Sequence, residues 1–389
     1  MKQDMESNNP QMWDLTAYRI LENNKKHIRA PDSKMYPTYD FTHCLCDSFE
    51  GITHSLCTTE FILSRESYEW LNKTLEVYEP MQREFGRLNV TGTVMSKRVL
   101  KALVERKIVR GWDDPRLYTL IALRRRGIPP GAILSFINEL GVTTARTFIQ
   151  ATRFEQSVRR YLEQTVPRLM LVLDPILVTI QDHEGVLELE APFSPKDPSL
   201  GTHKLALIKT IYIDRADFRD TDDKNYYRLA LGKTVGLLQG PSPIRAVSFT
   251  RDEATGRVTA IDAVFDKTTK PRAYIHWVPD GSIKAEARIY APLFKSENPM
   301  GAEGGFLNDV NPSSETVYPD AMIEAAYEEV RKRAPWPAKA GENESDAGPE
   351  TIRFQALRVG YFAVDSDTTE VKVVLNQIVP LKEDSRKIF

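Results

Sequence analysis

Apolar positions change their period near residue 167. Before it the spacing is helical. Phe61, Tyr68, Trp70, Leu71 and Leu75 predict an amphipathic helix over residues 61–77. Val99, Leu100, Leu103 and Val104 predict another. Trp112-Asp-Asp-Pro115 interrupts the pattern, because a proline disfavours helix at the residue before it. Helical spacing resumes over 117–126, and Gly127-Ile-Pro-Pro130 stops it. Residues 131–140 read as one more short helix, closed by Gly141. After Pro167 the chain turns to short apolar or β-branched runs at 169–173, 177–180, 205–208, 210–213 and 274–278, separated by turn residues. That texture predicts strands arranged as barrels or sandwiches. Residues 335–349, rich in Pro, Ala, Gly and Glu, read as a surface loop. No internal repeat is visible.

The 389 residues are enough for several domains with a sizeable core. No apolar run reaches the roughly eighteen residues a membrane span needs. The polar N-terminus resembles neither a secretory signal nor a transit peptide. Three cysteines in this length point to a reducing compartment. A net charge of −2 argues against wholesale nucleic-acid binding. Charge is uneven, however. Residues 88–165 hold 14 Lys plus Arg against 6 Asp plus Glu, with Arg124-Arg-Arg126 among them. Such a stretch neutralises phosphates or, more commonly, forms a solvated helical face.

His43, Cys44, Cys46, His54 and Cys57 are metal-ligand types packed into fifteen residues. Their spacing does not suit zinc, since a single residue separates Cys44 from Cys46 and no CxxC exists. Cys44 and Cys46 read as small buried residues of a core helix, and His54 and Cys57 as part of a helix. No protein-held metal is expected. That reading leaves the string Gly51-Ile-Thr-His-Ser-Leu-Cys-Thr-Thr-Glu-Phe61 unexplained.

Taken with Tyr36-Pro-Thr-Tyr-Asp-Phe-Thr-His43, that string resembles the amino-acid pocket of glutaminyl-tRNA synthetases, which are class I aminoacyl-tRNA synthetases. The resemblance implies that Tyr39, His43, Ser55, Cys57, Phe61 and Gln82 line a glutamine pocket. Such a pocket accepts a neutral carboxamide and leaves polar groups unpaired against the wrong acid. The sister glutamyl enzymes usually carry arginine at the place of Cys57 and no histidine at that of His43. Arg87-Leu-Asn-x4-Val-Met-Ser-Lys97 resembles the mobile signature loop of class I enzymes. It implies Lys97, with Ser96 and Met95, as catalytic residues, and Arg87, Leu88, Met95, Ser96 and Lys97 as the ATP contacts. The lysine would stabilise charge developing on the phosphates during adenylation. Gly111-Trp-Asp-Asp-Pro-Arg-Leu117 is similar to the family's helical domain, which lies along the tRNA. Pro167-Arg168, the Tyr227–Lys233 run, Ile275-His-Trp-Val278 and the Phe354–Phe362 run are similar to its anticodon-binding barrels. They imply Arg168, Arg228, Gln355 and Arg358 as anticodon contacts, a task suited to Arg and Gln edges.

Thr144, Gly236 and Leu238 stand where bacterial members carry basic residues, and Leu63 where they carry an aspartate. A eukaryotic-type chain is therefore expected. None of the six histidines are three residues apart, so the family's H-x-G-H signature does not occur. The expected fold is multidomain α+β: the C-terminal half of a Rossmann-type catalytic fold, a helical connecting domain and two β-barrels. The implied division is 1–36 as the end of the acceptor-stem-binding insertion and Ala17-Tyr-Arg-Ile-Leu21 its remnant, 37–87 as the second half of the catalytic domain, 88–166 as signature loop and helical domain, and 167–389 as the barrels. The implied function is glutamine–tRNA ligation through glutaminyl-adenylate. Its partners would be glutamine, ATP with Mg²⁺ and glutamine tRNA, with other synthetases or a missing N-terminal segment as further partners, and no membrane. The implied location is the cytoplasm, with mitochondria as the other option. The alternatives are a non-catalytic tRNA-binding fragment or paralogue, and a glutamyl-type ligase.

Overall fold

The computed structural model describes residues 1–21, 27–337 and 347–381. Of the loop read at 335–349, residues 338–346 lie outside the described residues. The chain divides into two compact units, Met1–Asn89 with Leu140–Phe148, and Val90–Glu139 with Ile149–Phe389.

In the first unit, helix α1 spans Tyr39–Phe49 and α2 spans Ser64–Thr74. The predicted helix over 61–77 is thus shorter, with a single 3-10 turn, Thr59–Phe61, ahead of it. Strands His54–Thr58 and Met81–Phe85 run parallel with α2 between them, a βαβ crossover of the kind that builds Rossmann folds. His54 and Cys57 therefore belong to a strand, not a helix. Their neighbours Thr53, Thr58 and Thr59 favour extended backbone through β-branching. Cys44 packs against Tyr68 and Leu71, but Cys46 is exposed, on the other side of the same helix. Only one of the two cysteines is thus a core residue. Burial pushes the Cys44 thiol up to about 11, which marks it as inert packing.

The second unit opens with α3 (Lys97–Glu105), α4 (Leu120–Arg126), α5 (Pro130–Leu140) and α6 (Ala151–Thr165). Val99, Leu100 and Leu103 of α3 pack with Val94, Leu117, Ala122, Leu293 and Phe294. The Trp112-Asp-Asp-Pro115 break is a locked turn. Asp114 is fully buried and accepts from Arg110 N, Arg116 N and the Arg116 guanidinium at 2.8–3.1 Å. Thr119 caps α4 by accepting from Ala122 N. Gly127 closes α4 at φ +97°, where a Cβ would sit 2.2 Å from that of Ala363, so only glycine fits.

Beyond α6 lie two seven-stranded sheets. The first runs Tyr274–Ile275, Thr234–Leu237, Ile244–Arg251, Val258–Phe265, Pro175–Ile180, Thr210–Asp214, Trp277–Pro279. The second runs Arg168–Leu169, Arg353–Ala356, Gly360–Val364, Val373–Pro380, Ile283–Tyr290, Glu315–Ile323, Leu171–Val172. In each sheet the two edge strands are consecutive in sequence, separated by one residue, His276 or Met170. Each sheet must therefore curl until its edges meet, which gives two nearly closed barrels. The runs read as single strands at 169–173 and 274–278 are these divided seams. Alternation is clear in Pro175–Ile180, where Ile176, Val178 and Ile180 face the core.

Within the arginine run of α4, Arg125 and Arg126 are held in ion pairs rather than forming a phosphate patch or a solvated face, while Arg124 stays 59% exposed. Arg125 is clamped by Asp113, Asp365 and Asp367 at 2.9–3.0 Å. Arg126 is buried, beside Glu155 and Gln377 O. Arg124 donates to Glu350 at 2.6 Å. Asp113 and Glu155 are near in sequence, but Glu350, Asp365 and Asp367 of the second barrel lie more than two hundred residues away, out of reach of any local pattern.

Candidate amino-acid pocket, signature loop and RNA-reading arginines

Within the first unit, α1 places Tyr39 and His43 one turn apart, on one face, with their rings stacked at 4.9 Å. Phe61 lies 5.8 Å from Tyr39. These residues, with Asp40, Ser64, Ser67, Tyr68 and Gln82, line a small open cleft with a cavity volume of about 20 Å³. His43 Nε2 is 3.1 Å from Ser55 Oγ and 3.1 Å from Asp47 Oδ2. Asp47 also accepts from the Tyr68 hydroxyl at 2.9 Å. Placing the imidazole proton on Nε2 satisfies Asp47 and leaves Nδ1 as an acceptor. Gln82 is 2% exposed and donates to Cys57 Sγ at 2.9 Å, while its Oε1 is buried with no partner. An unpaired buried acceptor behind the cleft wall is costly and marks a place where a partner is lacking. Burial, with Cys57, Asp47 and Asp40 nearby, raises the Tyr39 pKa, so its hydroxyl stays neutral and free to accept.

All six residues expected in the pocket thus come together. Four line the cleft, and Ser55 and Cys57 hold His43 and Gln82 from behind. The sequence reading missed Asp47 and Tyr68. Asp47 follows His43 by four positions on a helix, a spacing that signals contact. Tyr68 carried no signal beyond its place in an apolar stripe. Among the described residues, no group of His, Cys, Asp and Glu could hold a metal ion.

Arg87, also in the first unit, pairs with Glu60 at 3.4 Å, and Leu88 opens the strand Leu88–Val90. Met95, Ser96 and Lys97 belong to the second unit. Val94 is buried and anchors the loop stem, while Met95 is exposed. Ser96 occupies the N-cap of α3 but makes no capping bond, and Lys97 is the first helical residue. A helix start with an uncommitted hydroxyl and a lysine suits an anion. Gly92 N donates to Glu297 O at 2.7 Å, tying the stem to the chain that leaves the second barrel.

The four residues expected to read RNA fall into two pairs in the second unit. Arg168 and Gln355 are direct partners on neighbouring parallel strands. Arg228 and Arg358 share one carboxylate, that of Asp217, which is 2% exposed. Burial opposes ionisation of Asp217, but the hydrogen bonds and charge of Arg358 outweigh it and hold the carboxyl below its usual range. Arg358 also donates to His276 Nδ1 at 2.9 Å. Gly236 has its Cβ direction filled by the Tyr274 ring at 2.3 Å, so the basic side chain of bacterial members has no room there.

His276 lies at the first barrel's seam, and burial followed by the Arg358 charge lowers its pKa to about 4. The folded state therefore binds fewer protons than the unfolded state between about pH 4 and the ordinary histidine value near 6.5. Its contribution to stability is complete above pH 6.5 and is lost as the pH falls toward 4, by at most roughly 3 kcal/mol. His276→Gln keeps an acceptor for Arg358 without titrating. Urea unfolding across this window should show a shallower acid-side decline for the variant, by about one proton.

Residues 1–164 match the family model of the tRNA synthetases class I (E and Q), catalytic domain. Residues 166–266 and 274–335 match two models of that family's anti-codon binding domain. The chain belongs to the class I tRNA synthetases of the E and Q type. It is 64% identical over 390 residues to a glutamine–tRNA ligase protein of Hypocrea virens, spanning all of this chain and 60% of that one. It is 50% identical over 412 residues to the glutamine–tRNA ligase of Saccharomyces cerevisiae, again over the whole chain and 50% of the relative. The cytoplasmic glutamine–tRNA ligase of Arabidopsis thaliana is 41% identical over 401 residues, with 48% of its length covered. The chain thus spans about half to three-fifths of the length of these relatives. No helix among the described residues is long and apolar enough to cross a membrane.

Proposed function

We propose that this chain works in glutamine–tRNA ligation in the cytoplasm. Glutamine's carboxylate attacks the α-phosphate of ATP, forming glutaminyl-adenylate and releasing pyrophosphate. A ribose hydroxyl at the tRNA 3′ end then attacks the acyl carbon, and AMP leaves. ATP enters with Mg²⁺ as substrate. Residues 37–87 supply the amino-acid pocket and 88–166 the signature loop and helical domain. Residues 167–389 supply the RNA-reading barrels, and 1–36 close the acceptor-stem insertion.

The observation that carries this reading is the gathering of Tyr39, His43 and Gln82 on one cleft, side chains that can supply hydrogen-bond acceptors from a hydroxyl, an imidazole and an amide. Acceptors welcome the two N–H groups of a carboxamide. They repel a carboxylate, which has no proton to give and would leave them unpaired. Asp47 supports the selectivity by holding the His43 proton on the far nitrogen. Arg87, Leu88, Met95, Ser96 and Lys97 serve ATP, with Lys97 acting on the phosphates.

Cys57→Arg tests the assignment in a chimera whose corresponding half of the Saccharomyces cerevisiae relative is replaced by these residues. A guanidinium behind Gln82 takes away its partner and offers a glutamate carboxylate an ion pair. The ratio of kcat/KM for glutamine over glutamate in ATP–pyrophosphate exchange should fall by about tenfold or more. An unchanged ratio removes Cys57 from the pocket. An unmutated chimera that adenylates neither amino acid turns the reading toward RNA binding alone.

A further inference from the structure

Asp217 closes the 3-10 turn Arg215–Asp217 that follows the first barrel's strand Thr210–Asp214, and Arg358 lies in the turn that joins Arg353–Ala356 to Gly360–Val364 in the second. Arg358 takes both Asp217 oxygens, with Nη2 on Oδ1 at 2.9 Å and Nη1 on Oδ2. Arg228 Nη1 reaches the same Oδ1 at 3.0 Å and Ala216 O at 3.1 Å. Neutral His276 accepts from Arg358 on the other side. Three features go beyond what an ordinary ion pair between barrels requires. One carboxylate serves two guanidinium groups, so the cluster carries an excess positive charge. Both arginine side chains are still 29% exposed, so each keeps N–H donors turned to solvent while the anion beneath is sealed. Arg358 adopts φ +66°, a backbone state that costs a side-chain-bearing residue energy and that glycine would take more readily. Tyr226 supports Arg228 from below, with the guanidinium 5.4 Å from the ring centroid.

We propose that Asp217 is the positioning residue of RNA reading, fixing Arg228 and Arg358 as one preorganised pair of donor forks for a base that presents carbonyl acceptors. The inference rests on the reading of this region as the anticodon site. Guanidinium forks discriminate bases only when their orientation is set before contact. A flexible arginine neutralises phosphate equally well wherever it points. Asp217 therefore acts on selectivity, whereas the sum of phosphate contacts sets affinity and its salt dependence.

Two stem-loop RNAs test this by fluorescence anisotropy at fixed salt, one carrying a glutamine anticodon and one with its middle base replaced by cytosine. Asp217→Asn turns an amide donor toward a guanidinium. Asp217→Glu keeps the buried charge but displaces both forks by a methylene, and it carries the test if Asp217→Asn does not fold. Both variants should shrink the unmutated chain's preference for the glutamine stem-loop by roughly tenfold. The salt slope and the affinity for the replaced-base RNA should stay unchanged. Full preference retained in Asp217→Glu, or an equal loss of affinity for both RNAs, overturns the role of Asp217 and leaves the anticodon reading standing. No preference in the unmutated chain overturns both.

Discussion

Replacing Arg125 with alanine is expected to destabilise the second unit by about 3–5 kcal/mol, the range for removing one partner of a buried ion pair. The Asp365 side chain has no solvent exposure, and Arg125 covers both its oxygens at 3.0 Å. Burial opposes ionisation of Asp365, yet the Arg125 hydrogen bonds hold its carboxyl below the usual range. Without Arg125 that carboxylate stays buried with the Asp367 N–H, Asn376 and the more distant Arg288 for partners. It must ionise at high cost or take up a proton. Acidification therefore has a defined effect. The stability conferred by the low Asp365 pKa is present above the ordinary carboxylate range and lost as the pH falls through it. Arg125→Ala should flatten that acid-side loss while lowering stability at neutral pH. Lys101→Ala is the control, because its pair with Glu105 is well over half exposed, and it should cost less than about 1 kcal/mol. Urea unfolding measures both. RNA affinity of the folded Arg125→Ala protein should be unchanged, since a guanidinium held by three carboxylates has little left for phosphate. A melting curve unmoved by the change would return the arginine run to the solvent.

The same arginines show which parts of the molecule are legible in a sequence. Helical period and turn residues are local, so α3 and α4 stand close to where the pattern puts them. The pocket residues are legible only through the family resemblance, since the local pattern reads His54 and Cys57 as helical where the structure has a strand. Tyr39 and His43 share a helix face, while Ser55, Cys57 and Gln82 lie on two strands joined by one helix. Partners distant in sequence leave no local trace. A run of three arginines looks like solvent-facing charge unless Asp365 and Glu350 are known to be beneath it. Likewise 169–173 and 274–278 look like single strands. Each is in fact the seam of a barrel, and only pairing with Arg353–Ala356 and Thr234–Leu237 reveals the break. Cys46 and Cys44 are two residues apart on a helix, a spacing that puts them on opposing sides and admits only one to the core. Asp47 was within reach of the i, i+4 rule. Its role emerges only with Tyr68, which arrives from a second helix.

Lys97→Ala should lower the rate of glutaminyl-adenylate formation by roughly 100- to 1000-fold, about 3–4 kcal/mol of transition-state stabilisation. The chimera with the yeast relative allows single-turnover measurement. Glutamine affinity should hold, because the lysine acts on phosphate charge that grows in the transition state rather than on the bound amino acid. The folded state carries an independent sign. Lys97 is the first residue of α3, whose first turn has no acidic residue. A cation there opposes the positive end of the helix dipole at a cost of about 0.3–1 kcal/mol. Ser96, at the N-cap, gives no compensating bond. Removing the charge should therefore leave thermal stability unchanged or slightly raised while activity collapses. That opposition separates a phosphate-binding lysine from a merely structural one, for which stability and rate would fall together. It also explains why an unfavourable residue is tolerated at this helix start. The positive terminus and the lysine repel each other, and on the proposed reading the ATP phosphates would bring the negative charge that both attract. ATP with Mg²⁺ should accordingly raise the melting temperature of the unmutated chimera more than that of Lys97→Ala. Equal shifts, with adenylation unimpaired, would move the signature loop elsewhere in the chain.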